Sequence, residues 1–86
     1  MNEKIVTELI NKIEKLPNET ETTTVALIEE IGKNVSEFSN DDLFEIDNTL
    51  IKECKNRNIT LDKSKHEGQI IGLPFHISFV IIKEDK

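Results

Sequence analysis

An α+β domain, three helices followed by a C-terminal β-hairpin, is the fold class that this 86-residue sequence predicts, and three observations carry it. Apolar residues recur at helical spacing in three segments before residue 56. Near the C-terminus they switch to strand alternation, most clearly over residues 75–83. Between these regions, Ser39-Asn-Asp-Asp42 marks a helix start. A Ser side chain with an acid three residues on can satisfy free backbone N–H groups of a first turn.

Taken in order, Ile5, Val6, Leu9, Ile10, Ile13 and Leu16 form one helical stripe over residues 2–16, which Pro17 ends. Residues 18–24 are polar and alternate Thr20, Thr22 and Thr24, which fits either a loop or a short extended edge strand. A second helix is predicted over residues 24–31 from Val25, Leu27, Ile28 and Ile31, with Gly32 placed to close it in the left-handed conformation. The linker 33–38 offers Val35 and Phe38 as apolar plugs. The third helix starts at Ser39 and carries Leu43, Ile46, Leu50 and Cys54 on one stripe, with Phe44 and Ile51 beside it, before fraying at Asn56-Arg57-Asn58. Acids at its start and bases at its end both suit the helix dipole.

Strand alternation follows at residues 59–62 and again at 75–83, where Phe75, Ile77, Phe79 and Ile81 share one face and His76, Ser78, Val80 and Ile82 the other. The later strand is apolar on both faces near its end, so it is expected at the centre of the sheet. Residues 63–74, with Gly68, Gly72 and Pro74, form the long connection between the two. No internal repeat occurs.

Helix, short strand, helix, helix, strand, long loop, strand is the winged-helix order, with the second and third helices as a helix-turn-helix and residues 1–86 as one domain. The stretch Leu9-Ile-Asn-Lys-Ile-Glu-Lys-Leu-Pro-Asn-Glu-Thr-Glu-Thr-Thr-Thr-Val-Ala-Leu27 resembles the opening of small uncharacterised winged-helix-like proteins of low-GC Gram-positive bacteria and their phages. Gly72-Leu-Pro-Phe-His-Ile-Ser-Phe-Val80 is similar to their second wing strand. The resemblance implies a fold and transfers no functional residue.

Size and composition bound the rest. A chain this short buries about 60% of its unfolded surface and has room for one core. Without Trp or Tyr that core must be aliphatic, with Phe38, Phe44, Phe75 and Phe79 as its large rings. The N-terminus shows no basic-then-apolar leader and no apolar run reaches the ~20 residues of a membrane span, so a soluble cytoplasmic protein without membrane partners is expected. A single cysteine, Cys54, excludes an intrachain disulfide and suits a reducing compartment. The sequons at Asn18, Asn34 and Asn58 then carry no meaning.

Catalytic and metal chemistry is poorly supplied. Cys54 lies on the apolar stripe, as a small core residue would. His66 and His76 have no second cysteine and no histidine partner at helical spacing. Asp41, Asp42, Glu45 and Asp47 gather at the start of the third helix without an apolar pocket to separate their roles, and helix capping accounts for Asp41 and Asp42. Gly68 and Gly72 lack the Lys-Ser/Thr ending of a phosphate loop. The sequence therefore predicts no enzyme, no cofactor and no metal.

Charge points to binding. Residues 1–50 hold four Lys and twelve acids, whereas residues 51–86 hold seven Lys or Arg and five acids, within an overall net charge of −6. Two readings follow. In the first, an acidic helical surface of Glu29, Glu30, Glu37, Asp41, Asp42 and Glu45 docks on a basic protein, as a phage-type inhibitor of a nucleic-acid-handling protein would. In the second, a winged-helix regulator contacts DNA phosphates through Lys52, Lys55, Arg57, Lys63 and Lys65. The outward face of the third helix reads Asp41, Glu45, Asn48, Lys52, Lys55. Its acidic first half opposes the phosphate attraction on which most DNA affinity rests, so the first reading is preferred. Glu53–Arg57, Glu29–Lys33 and Glu8–Lys12 have the spacing of ordinary solvated pairs. A homodimer is compatible with both readings, through an apolar edge on helix one or on the final strand.

Overall fold

The computed structural model describes residues 2–64 and 73–84. Its elements run α1 (Glu3–Lys15), β1 (Glu21–Thr22), α2 (Thr24–Glu30), a 3₁₀ turn (Val35–Glu37), α3 (Asn40–Lys55), β2 (Ile59–Asp62), a second 3₁₀ turn (Pro74–His76) and β3 (Phe79–Lys83). The three strands form one antiparallel sheet in the order β1-β3-β2. This is a small α+β domain of winged-helix-like architecture, and residues 20–24 contribute the short edge strand. The third helix's hand-over to the sheet also falls where the periodicity changes. Of the connection between β2 and β3, Lys65 and His66 lie outside the described residues.

Local chemistry explains the boundaries. Ser39 caps α3, its hydroxyl accepting from the Asp42 backbone N–H at 3.1 Å. Thr23 caps α2 in the same way through Ala26 at 2.9 Å. Gly32, at φ +87°, takes the left-handed conformation that closes α2, where any side chain would be strained even though nothing crowds a Cβ. Lys83 reaches from β3 to the end of α1, donating from Nζ to the Glu14 and Leu16 carbonyls that the helix leaves unpaired.

Val6, Leu9, Ile10 and Ile13 of α1, Leu27 and Ile28 of α2, Leu43, Ile46, Leu50 and Cys54 of α3, and Ile59, Leu61, Phe79 and Ile81 of the sheet bury together in one core. Val35 and Phe38 pack against it from the linker. One strand is shorter than its alternation suggests. Phe75 and His76 belong to a 3₁₀ turn, because Pro74 lacks an N–H and fixes the backbone at the turn's start. Phe75 is still buried, edge-on to Phe44 with ring centroids 5.2 Å apart. The turn thereby docks the chain on α3 before β3 enters the centre of the sheet.

Candidate interaction surface

The two faces of α3 hold different kinds of charge. On the inner face, Asp47 is 1% exposed, in the same helical stripe as Leu43, Leu50 and Cys54. Its Oδ1 accepts from the Thr24 hydroxyl at 2.6 Å and its Oδ2 from Lys63 Nζ at 3.0 Å. Lys63 Nζ also donates to the Pro74 carbonyl at 2.9 Å. Four segments meet in this network: the start of α2, the middle of α3, the end of β2 and the turn before β3. A buried carboxylate is tolerated only when paired and hydrogen-bonded, and here both oxygens are occupied. Lys63, expected among the phosphate contacts, is therefore held inside the fold.

Cys54 completes the inner face. It is fully buried, and burial pushes its thiol from the ordinary 9.0 up to about 11, with Glu14 and Glu53 adding to the rise and Arg57 opposing it. A thiol so held is protonated and inert near neutrality. Among the described residues no group of three or more His, Cys, Asp or Glu is placed to hold a metal ion.

The outer face of α3 carries Asp41, Glu45, Asn48, Lys52 and Lys55, all exposed. Lys52 and Lys55 make no ion pair with a described residue. Arg57 turns back to Glu53, donating to its carboxylate at 3.2 Å and its carbonyl at 3.0 Å. Of the described bases after residue 50, Lys63, Lys83 and Arg57 are thus engaged within the chain, and Lys52 and Lys55 face solvent. Lys65 lies outside the described residues.

The six acidic residues do not form a single close patch. Glu30 pairs with Lys12 near the end of α1 at 3.5 Å, in place of a Glu8–Lys12 pair. Asp42 and Glu45 instead accept from Asn2 Nδ2, at 3.4 and 2.9 Å, at the start of α1. Asn2 and Lys12 are ten residues apart, about 15 Å along a helix. Glu29 and Glu30 therefore belong to one end of α1, and Asp42 and Glu45 to the other, with Asp41 beside them. Glu37 is exposed in the linker turn between the two groups.

Between α1 and α3 runs a shallow groove lined by Glu3, Val6, Thr7, Ile10, Thr49, Glu53 and Arg57. Its lining combines Val6 and Ile10 of the core with the charged Glu3, Glu53 and Arg57. The Thr24–Asp47–Lys63 network escaped the sequence reading, which placed Asp47 with the capping acids. The signal was present: Asp47 follows Leu43 by four and precedes Leu50 by three, a core position in a helix.

Comparison with known proteins adds no kinship: no family model, no curated protein and no solved structure matches the chain.

Proposed function

We propose that this protein is a non-enzymatic binding module that docks a basic protein surface on the exposed acidic half of α3, with Asp41, Asp42 and Glu45 at its centre. One observation carries the reading. Bases that a nucleic-acid-binding winged helix would turn outward are consumed inside this fold, Lys63 by Asp47 and Lys83 by the carbonyls of α1. What the first half of α3 shows to solvent is carboxylate. Facing a duplex, those groups would oppose phosphate contact; facing a basic protein, they favour encounter and set its register. Glu29, Glu30 and Glu37 lie apart from this centre, on α2 and the linker, and Glu30 is paired with Lys12. Such a surface would suit a phage-type inhibitor of a nucleic-acid-handling protein.

Affinity capture from the native host, with nucleic-acid content measured, tests the reading. The protein should retain a protein partner free of nucleic acid, and D41K/D42K/E45K should lose it while K52E/K55E keeps it. Capture untouched by the first triple change refutes this surface. A second reading rests on Lys52 and Lys55, exposed and without an ion-pair partner among the described residues. It makes the protein a DNA-binding regulator, and it requires retardation of a duplex that weakens steeply with salt.

A further inference from the structure

The exposed face of α3 complements itself. Asp41, Glu45, Asn48, Lys52 and Lys55 fall at alternating steps of four and three, a straight stripe about 21 Å long with Asn48 at its midpoint. All five are exposed, and charge is segregated along the stripe, two acids in the first half and two bases in the second. Beside it, on one flank, lie the half-buried Phe44 and Ile51, also one on each side of the midpoint.

Segregation of this kind opposes the helix's own stability. Asp41 and Glu45 are like charges at a spacing of four, and Lys52 and Lys55 at a spacing of three, arrangements that destabilise an isolated helix. The macrodipole accounts for Asp41 and Lys55 at the two ends. It falls off within a turn and does not call for Glu45, whose contact within the chain is one exposed hydrogen bond from Asn2 Nδ2.

We infer that the outer face of α3 is an interface for a second copy of this chain, packed antiparallel across a two-fold axis at Asn48. This rests on the reading of that face as a contact surface, and the other copy's Lys52 and Lys55 occupy its acidic half when no heterologous basic partner does. A two-fold operation reverses the helix while keeping each flank on its own side. It sets Asp41 against Lys55 of the second copy, Glu45 against its Lys52, and Asn48 against its Asn48. The same operation brings Phe44 beside the other copy's Ile51, twice, and covers both side chains. The two helix dipoles are then antiparallel, which is their favourable arrangement. The parallel alternative would place acid on acid and base on base. Charge at an exposed interface acts through salt-sensitive encounter and register more than through tight binding, so the dimer is a weak, reversible one.

Sedimentation velocity of the full chain from about 10 μM to 1 mM, in low and in high salt, provides the test. The wild type should self-associate reversibly and less in high salt. D41K/E45K and K52E/K55E, each confirmed folded by circular dichroism, should lose about tenfold or more in self-association, because each presents one sign of charge to itself. An equimolar mixture of the two should associate as a heterodimer, which a merely misfolded variant cannot do. A wild type that stays monomeric at 1 mM in low salt overturns the inference, as does a dimer insensitive to both reversals, or a mixture that stays monomeric. The proposed function is separable: a monomeric wild type whose partner capture is still abolished by D41K/D42K/E45K defeats the dimer alone. A charge-swapped heterodimer alongside capture that ignores those changes defeats the heterologous docking alone.

Discussion

The inner and outer faces of α3 carry similar side chains to opposite ends. Inside, the carboxylate of Asp47 is stripped of water and held by Thr24 and Lys63, so that it fixes the positions of α2, β2 and the turn before β3. Outside, Asp41, Lys52 and Lys55 are exposed, and Glu45 makes one exposed hydrogen bond, accepting from Asn2 Nδ2. Sixteen residues separate Asp47 from Lys63, whereas Asp41 and Glu45 are neighbours of Asp47 on the same helix. Net charge therefore says little about which groups bind a partner. Burial sorts them, and the charge left over after the fold has used its share is the charge offered for recognition.

The largest expected effect attacks the inner face. Asp47→Ala leaves the Thr24 hydroxyl without its acceptor and the Lys63 ammonium without its counter-ion, held only by the Pro74 carbonyl, and should cost about 3 kcal/mol in urea denaturation. This is the low end for a broken buried pair, since the Lys63 side chain retains 22% exposure and can turn to water. Removing the other partner tests the pair from its cationic side. Lys63→Met preserves the aliphatic stem but leaves a buried carboxylate with no cation, costing about 2 kcal/mol at neutral pH. No measurable loss would show that the fold does not depend on the Lys63–Asp47 pair.

Cys54 offers a second probe of the same face. Its folded-state pKa, about 11, exceeds the ordinary 9.0, so its contribution to stability is complete below pH 9 and is lost as pH rises through 11. At pH 10.5 the wild type should have lost up to about 2 kcal/mol more than Cys54→Ala, relative to pH 8, in matched denaturation curves. Equal losses would contradict the burial of the thiol. The smallest effect belongs to the outer face, where K52E/K55E should change stability by less than about 1 kcal/mol. A larger loss there would mean that these lysines also serve the fold, and the contrast between the faces would fail.

Much of this architecture is legible in the residues themselves. The Ser39 cap, the closure of α2 at Gly32, the core stripe ending at Cys54 and the central position of β3 all depend on local chemistry or on a period read within one element. The boundary of β3 was less legible because Phe75 continues the alternation of Phe79 and Ile81 while Pro74 diverts the backbone into a turn. The site was less legible still. Glu53 and Arg57 pair at the expected spacing, but Lys12 leaves α1 for Glu30, and Lys63 leaves the expected basic cluster for Asp47. Each of these long-range partners depends on how helices and strands are juxtaposed, which a single-element pattern does not encode. The outward stripe of α3, by contrast, follows from helical spacing alone, and its five residues are all exposed.

The central claim is that the charge left on the surface of α3 serves a protein partner and not the phosphates of a duplex. Titration of the protein into a fluorescent double-stranded DNA of mixed sequence at about 50 mM salt tests it most directly, because phosphate contacts are strongest there. No change in anisotropy or mobility is expected up to the concentrations at which the protein captures its partner. A shift that weakens steeply with added salt and is lost in K52E/K55E would contradict the account and establish the lysine half of α3 as a nucleic-acid interface.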